Sequence, residues 1–333
     1  MVAIKKHKLL EWVGSAGFFF FCFSLFSYLT FPYDRVRDLL VRKVQASSAP
    51  GAPAPKLTIG ELGPSWLTGV KLESISLERP PEIAGDPPTK LQADELRLRV
   101  APLSLLFGGL GVKFAAEAGD GDVKGSYDAD KDGLRHVEAE LDALDLGNVG
   151  LGSLIGLPLE GKATGVVDVT LSSKPAETQG FVDLRIEGVK IGDQKGAKIK
   201  IPGMSGPLTL DAIDAGALDL KLAIKDGVAT IERLESKGKD LALNGSGSIR
   251  VASELAQSRT DLTLGAKFDA GYRQRSDRTK SMFDILSMQR MVSSDGALRV
   301  KVTGPLNALR GVPAAPAAAP APAGKASRAR PIH

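Results

Sequence analysis

The 333 residues suffice for one large domain or two ordinary ones, and with 43% of them hydrophobic the size of the core sets no limit. The net charge of +4 sits at the two ends: seven basic and three acidic residues lie up to Lys43, four basic and no acidic ones from Arg310, and the stretch between carries −4. A mildly acidic middle lacks the basic footprint of a nucleic-acid binder, and a single cysteine, Cys22, excludes an intramolecular disulfide.

Residues 1–12, with Lys5, Lys6 and Lys8, precede a run from Val13 to Phe31 in which 19 consecutive residues are uncharged. As a helix this run spans about 28 Å, the thickness of a bilayer core. Trp12, Tyr28 and Tyr33 stand where interfacial aromatics sit. A cleaved signal would have an apolar region of ~7–15 residues and a small-x-small site. Neither Ser27-Tyr28-Leu29 nor Phe31-Pro32-Tyr33 supplies that site, so a retained transmembrane helix over 13–31 is expected. Arg35, Arg37, Arg42 and Lys43 follow it and compete with the N-terminal lysines, so charge does not fix the orientation. Residues 32–55 form a juxtamembrane stretch. Val36, Leu39, Leu40 and Val44 share one helical face, which suits a helix on the membrane or on the following domain as well as a solvated continuation of the anchor. Ala46 to Pro55 reads as a Pro-rich spacer.

From residue 56 to 310 the dominant period is two. Val70 and Leu72, then Ile75 and Leu77; Leu91 and Ala93, then Leu96, Leu98 and Val100; Leu184 and Ile186; Leu208 and Leu210; Leu218 to Ile224; Leu262 and Leu264; and Leu298 to Val302 all alternate apolar with polar residues. Turn signals at Asp132-Gly133, Asp226-Gly227, Lys237-Gly238 and Asp295-Gly296 separate them. Such spacing predicts a mainly β, mostly antiparallel domain with one apolar face. Short helices are expected at Pro102–Phe107 and Val149–Ile155. A longer one is expected over Ser276–Val292, with Met282, Ile285, Leu286 and Met291 on one face, either as a plug over one end of that apolar face or as a lid or partner-binding helix. Residues 311–333, rich in Ala and Pro and ending in Lys325, Arg328 and Arg330, read as a disordered basic tail.

No catalytic, cofactor-binding or metal-ligating residue is nominated, and the chain reads as a non-enzyme. Gly245-Ser-Gly247 and Gly108-Gly109-Leu110-Gly111 lack the Lys-Ser or Lys-Thr and the following helix of a phosphate loop. Asp128, Asp130, Asp132 and Gly133 match the first positions of a calcium loop, but Ala139 stands where a bidentate acid belongs and no helix leads in. A hairpin turn is expected there, and the sequence does not decide whether it takes calcium. His7, His136 and His333 are too scattered for a histidine site, and His136, between Arg135 and Glu138, reads as exposed strand.

Three passages, taken with the N-terminal anchor, carry a resemblance. They are Leu91–Leu106 with Ala101-Pro102-Leu103, Leu222–Ile249 through Asp226-Gly227 and Asn244-Gly245-Ser246-Gly247, and Leu298–Leu306 ending in Gly304-Pro305. In their order they resemble the type II secretion system protein N family in its longer form, and more broadly AsmA-like periplasmic proteins. The resemblance implies a single-pass protein of the cell inner membrane, its short N-terminus cytoplasmic and its bulk periplasmic, with an elongated, curved sheet forming an apolar groove. It further implies a non-catalytic accessory role in type II protein secretion, with inner-membrane lipids and other secretion components as partners. The alternative it raises is an AsmA-like lipid-binding or lipid-transfer protein that shields phospholipid acyl chains in the groove. A floor lined continuously by Leu, Val and Ile would favour lipid; a closed, side-chain-filled interior would favour a scaffold.

Overall fold

Each alternating run becomes a strand because one face of it is apolar and the next run, reached through a short turn, supplies the partner edge. In the computed structural model the described residues are 30–46, 54–65, 68–80, 88–102, 104, 108–152, 158–192, 197–199, 208–288, 292, 296–306 and 309–313, with 14, 15, 17–19, 21–23 and 26 ahead of them. Helix α1 (Tyr33–Ala46) precedes β1 (Lys56–Ser65), β2 (Gly69–Arg79), β3 (Thr89–Val100), β4 (Leu110–Ala118), β5 (Gly121–Ala129), β6 (Arg135–Asp145), α2 (Leu146–Val149), β7 (Leu159–Leu171) and β8 (Gln179–Ile191). There follow β9 (Ala197–Ile199), β10 (Leu208–Leu210), β11 (Ile213–Lys225), β12 (Val228–Lys237), β13 (Leu241–Arg250), β14 (Arg259–Phe268), α3 (Ala270–Arg273), α4 (Asp277–Met288), β15 (Ala297–Pro305) and β16 (Arg310–Pro313). All strands but β9 and β10 make one 14-stranded antiparallel meander in chain order, curved but not closed. Leu208–Leu210, expected in the main sheet, pairs instead with β9 in a separate two-stranded sheet.

The paired runs in β2 and β3 are single strands whose apolar phase slips by one. Val70 and Leu72 give way to Ile75 and Leu77 across Ser74, whose φ is +52°, and Ala93 gives way to Leu96 opposite it. Ala143 (φ +48°), Gly188 (φ +64°) and Gly216 (φ +67°) continue this line, with register shifts beside each. Together these bulges crease the sheet near one end while keeping the apolar side chains on one face. Gly216→Ala is expected to destabilise by at least about 2 kcal/mol, because a Cβ there combines the left-handed penalty with collision against the Lys237 carbonyl and the Gly238 Cα at 2.7 Å. Gly188→Ala meets nothing within 4 Å and is expected to cost only about 1 kcal/mol. Thermal unfolding of the two variants checks the difference.

The strand pattern also conceals a structural repeat. The units β7–β8–β11–β12 and β13–β14–β15–β16 share their registers at a spacing of 80, apart from a one-residue slip in the last strand (Leu220↔Leu234 against Val300↔Pro313): Gly165↔Leu184 in the first is Gly245↔Leu264 in the second, and Ile186↔Leu218 is Ala266↔Leu298. Each unit turns through a 3₁₀ segment, Pro175–Glu177 or Leu255–Gln257, closed by a buried hydroxyl, Thr178 or Ser258, that accepts the N–H of Ser172 or Ala252. The equivalent serines even touch, Ser253 Oγ donating to the Ser173 carbonyl at 3.3 Å. These turns lie at what we call the rim end of the sheet. The connections after β6, β8 and β14 lie at the other, the plug end.

Among the described residues no helix is long and apolar enough to cross a membrane. The expected span over 13–31 lies partly outside the described residues; its described positions 14, 15, 17–19, 21–23, 26 and 30 are helical, with Phe18, Phe19, Phe21, Phe23 and Phe26 exposed. Residues 1–12, most of the Pro-rich spacer and the tail beyond 313 also lie outside them. So do 105–107 and 153–157; Pro102 and Ser104 are helical, and the turn expected at Val149–Ile155 begins earlier, at Leu146, where Asp145 caps it.

Candidate functional site

The apolar face is covered at its margins and uncovered in between. At the N-terminal edge α1 lays Tyr33, Val36 and Val41 on Ile59, Leu62 and Leu72, while Leu39 and Leu40, expected on the same face as Val36, are exposed. At the plug end, α3 and α4 bring Tyr272, Phe283 and Leu286 onto Val189, Ile213, Ala215, Leu241 and Phe268. The three rings meet edge-on or stacked, with Phe283 5.0 Å from Phe268 and Phe268 5.9 Å from Tyr272 between centroids. The last row touched by this cluster is Ile186, Leu218, Leu243, Ala266 and Leu298.

Beyond that row the pairing registers lay out two apolar rows, each crossing a register shift between Thr230 and Glu235 where β12 meets β13. One runs Val123, Leu141, Gly165, Leu184, Leu220, Leu234, and then, past Gly245, Leu264 and Val300. The other runs Gly125, Ala139, Val167, Val182, Leu222, Ile231, and then, past Gly247, Leu262 and Val302. No charged residue interrupts either row, and their side chains are half-buried; at the β5–β6 end Val123 and Leu141 pack against Ala118, Leu144, Leu146 and Ala163, and the rest of the rows is neither packed away nor fully solvated. Gly245 and Gly247 belong to this floor. A Cβ at Gly245 would run into Leu234 and lie 3.0 Å from Leu264 Cδ2, so the glycine lets two leucines meet over the strand.

On the opposite face the same strands carry a cross-strand lattice of charge. Lys71 bridges Glu73 and Glu95 at 2.7 and 2.8 Å, Arg185 reaches Asp219 at 3.4 Å, Lys221 reaches Asp183 at 3.3 Å and Lys301 reaches Asp261 at 3.1 Å. The Lys71 hydrogen bond holds the Glu95 carboxyl below the usual carboxylate range. One face of the sheet is therefore built for water and the other is not.

Polar anchors hold the plug on its end. Asp211, just after β10, accepts hydrogen bonds from Ser276 Oγ at 2.6 Å, Arg278 at 2.7 Å and Thr279 Oγ1 at 3.0 Å, while its carbonyl takes the Tyr272 hydroxyl at 2.6 Å. The Ser276 and Arg278 bonds lower the Asp211 pKa below its ordinary value. Burial pushes the Tyr272 hydroxyl up, so it stays a donor. Arg275 pairs with Asp240, whose side chain is only 4% exposed and also accepts the Asp214 N–H at 2.9 Å. These anchors, drawn from three connections far apart in sequence, had no motif to announce them.

The residues weighed for chemistry stay apart. Asp130 Oδ1 accepts the N–H groups of Asp132 and Leu134 at 2.9 and 2.8 Å, which makes Asp130–Gly133 the β5–β6 hairpin turn; Asp128 lies in β5 opposite His136, and Ala139 faces Gly125 within the sheet. His136 sits in β6 with Nδ1 3.0 Å from Thr170 Oγ1 and 3.8 Å from Asp168. Among the described residues no three His, Cys, Asp or Glu side chains gather where they could hold a metal. A cavity of about 790 Å³ beside α2 is lined by glycine backbone and by Asp145, Glu160, Lys162 and Glu187, with Asp145 committed to capping α2 through the Gly147 and Asn148 N–H groups.

No family model, curated protein or solved structure matches this chain. The resemblance to the secretion family therefore rests on the quoted residues alone.

Proposed function

We propose that this chain is a non-catalytic, membrane-tethered lipid-binding protein that holds phospholipid acyl chains on the apolar face of its sheet. The observation that carries this reading is the uncharged, half-buried floor of Leu, Val and Ile running from β5 to β15 in a sheet that does not close. A closed interior would have filled itself with side chains; this one leaves them wetted, and each methylene laid against them gains about 0.8 kcal/mol by leaving water. The uncharged run over 13–31 supports a tether, and the resemblance supports placing the tether in the inner membrane and the sheet in the periplasm.

An accessory role in type II secretion through strand addition draws less support, because both sheet edges are blunted. The outer edge strand β16 has four residues and holds Arg310 and Pro313, and Arg37 of α1 reaches the Gly60 carbonyl on β1 at 3.5 Å. The test is mass spectrometry of the full chain extracted in mild detergent. Phospholipid retained in near-stoichiometric amount is expected, and a lipid-free protein would count against the proposal.

A further inference from the structure

The rim end of the second repeat carries an unusual mixture of side chains. The turn after β13 exposes Leu255 to 52% of its surface, and the turn after β15 exposes Leu306 and Leu309 to 41% and 49%. Around them Lys225, Arg250, Arg259 and Arg310 are exposed, and none takes an ion-pair partner among the described residues, whereas Lys174 in the matching turn of the first repeat is neutralised by Glu177 at 3.0 Å. Arg250 and Arg259 stand directly opposite each other in the β13–β14 register, a like-charge pair that works against the sheet. Of the nearby acids, Glu254 is engaged by Gln257 at 2.6 Å and Asp226 sits at the tip of the β11–β12 turn. A cavity of about 740 Å³ opens between the turns, with Arg250, Arg259, Asp226, Glu254, Gly227 and Ser253 in its wall. The rim is stiff, because its turns bond to one another: Gly227 N to Thr178 O at 3.0 Å, Val251 N to Gly227 O at 2.8 Å and Leu306 N to Ser258 O at 3.0 Å.

Three exposed leucines at loop tips stand among four exposed cations, Lys225, Arg250, Arg259 and Arg310, which outnumber the two nearby acids, Asp226 and Glu254. They match the boundary of an anionic bilayer, where apolar tips enter between headgroups and basic side chains meet phosphates. We infer that this rim seats on an anionic phospholipid surface, with Leu255, Leu306 and Leu309 inserted and Arg250 and Arg259 on the phosphates. This inference rests on the acyl-chain reading for its purpose, since it brings the end of the apolar floor opposite the plug against a lipid source. Its geometry is independent of that reading.

The test uses the full chain with Cys22→Ser, reconstituted in vesicles of phosphatidylcholine alone or with phosphatidylglycerol, and an environment-sensitive fluorophore on Leu255→Cys or, as control, on Ser246→Cys of the polar face. On phosphatidylglycerol vesicles the Leu255→Cys probe is expected to shift to the blue and to be quenched by spin-labelled lipid, while the Ser246→Cys probe stays in water. Arg250→Gln with Arg259→Gln is expected to cut that quenching at least about threefold without lowering the unfolding temperature, because the two cations repel each other. A Leu255→Cys probe that remains in water on anionic vesicles overturns the inference, as does quenching equal at both probes or indifferent to phosphatidylglycerol. Phospholipid retained by a protein whose rim probe stays in water would sink the rim alone. A lipid-free protein with a quenched rim probe would sink the acyl-chain reading alone.

Discussion

Phe283→Ala is expected to be the most destabilising single change in the plug, costing about 3–5 kcal/mol, because the ring is 5% exposed and packs edge-on against both Phe268 and Tyr272. The loss removes the contact that seats α4 on β14, so thermal unfolding should fall and protease sites in 270–290 should open before the strands of the first repeat do. The anchors add a pH dependence of defined sign. Asp211 has its pKa lowered in the folded state, chiefly by Ser276 and Arg278, so its contribution is whole above the ordinary carboxylate value of about 4 and is lost as pH falls through the lower folded value. Acidification below about pH 4 should therefore loosen the plug, and Asp211→Asn should show the loosened plug at neutral pH. Hydrogen exchange of residues 270–288 reads both effects; protection unchanged in Phe283→Ala would mean that the plug is held by something other than this aromatic cluster.

The second large effect concerns lipid. Leu264→Glu places a carboxylate in the middle of the apolar floor, next to Gly245 and Val300, where an acyl chain lying across the strands could not solvate it. Retained phospholipid is expected to fall at least about tenfold, in keeping with a burial penalty of a few kcal/mol for an unpaired charge. The protein should still fold, since Leu264 is half-buried and its carboxylate can turn to water once the lipid is gone. Thr263→Glu, one residue away on the polar face between Ser246 and Lys301, should leave lipid retention unchanged. Equal loss in both variants would point to damage of the sheet as a whole.

Much of this architecture was legible in the alternation of side chains. Leu218 to Ile224 and Leu298 to Val302 announce β11 and β15, and Asp226-Gly227 and Asp132-Gly133 sit in the turns that they mark. The helix expected over Ser276–Val292 runs over Asp277–Met288, with Met282 and Leu286 seated on the end of the apolar face; Ile285, expected on the same face, is exposed, Val292 bridges to Leu298 instead of continuing the helix, and Met291 lies outside the described residues. Alternation could not say that Val70–Leu72 and Ile75–Leu77 are one strand, because the bulge at Ser74 inverts the period and an inverted period looks like an ending. Nor could it place Leu208–Leu210 outside the main sheet, since a short alternating run has no register of its own. The repeat leaves little trace in the sequence for a related reason: what is kept between the two units is register and turn geometry, with the hydroxyls of Thr178 and Ser258 accepting equivalent N–H groups, while side chains such as Ile186 and Ala266 differ. The candidate site was legible as a composition, rows of Leu and Val, and became a surface only when pairing fixed which of them lie side by side. The Asp211 and Asp240 anchors depend on contacts across more than 25 residues and left no local trace.

The central claim is that acyl chains lie on one face of this sheet and not on the other, and photolabelling reads that directly. The full chain, loaded with phospholipid carrying a diazirine near the end of one acyl chain, is irradiated, digested and mapped by mass spectrometry. Labels are expected on residues of the two rows, Leu184, Leu220, Leu222, Leu262, Leu264 and Val302 among them, and absent from their polar-face neighbours Arg185, Lys221 and Thr263. Labels confined to residues 13–31, or spread equally over both faces, would contradict the account.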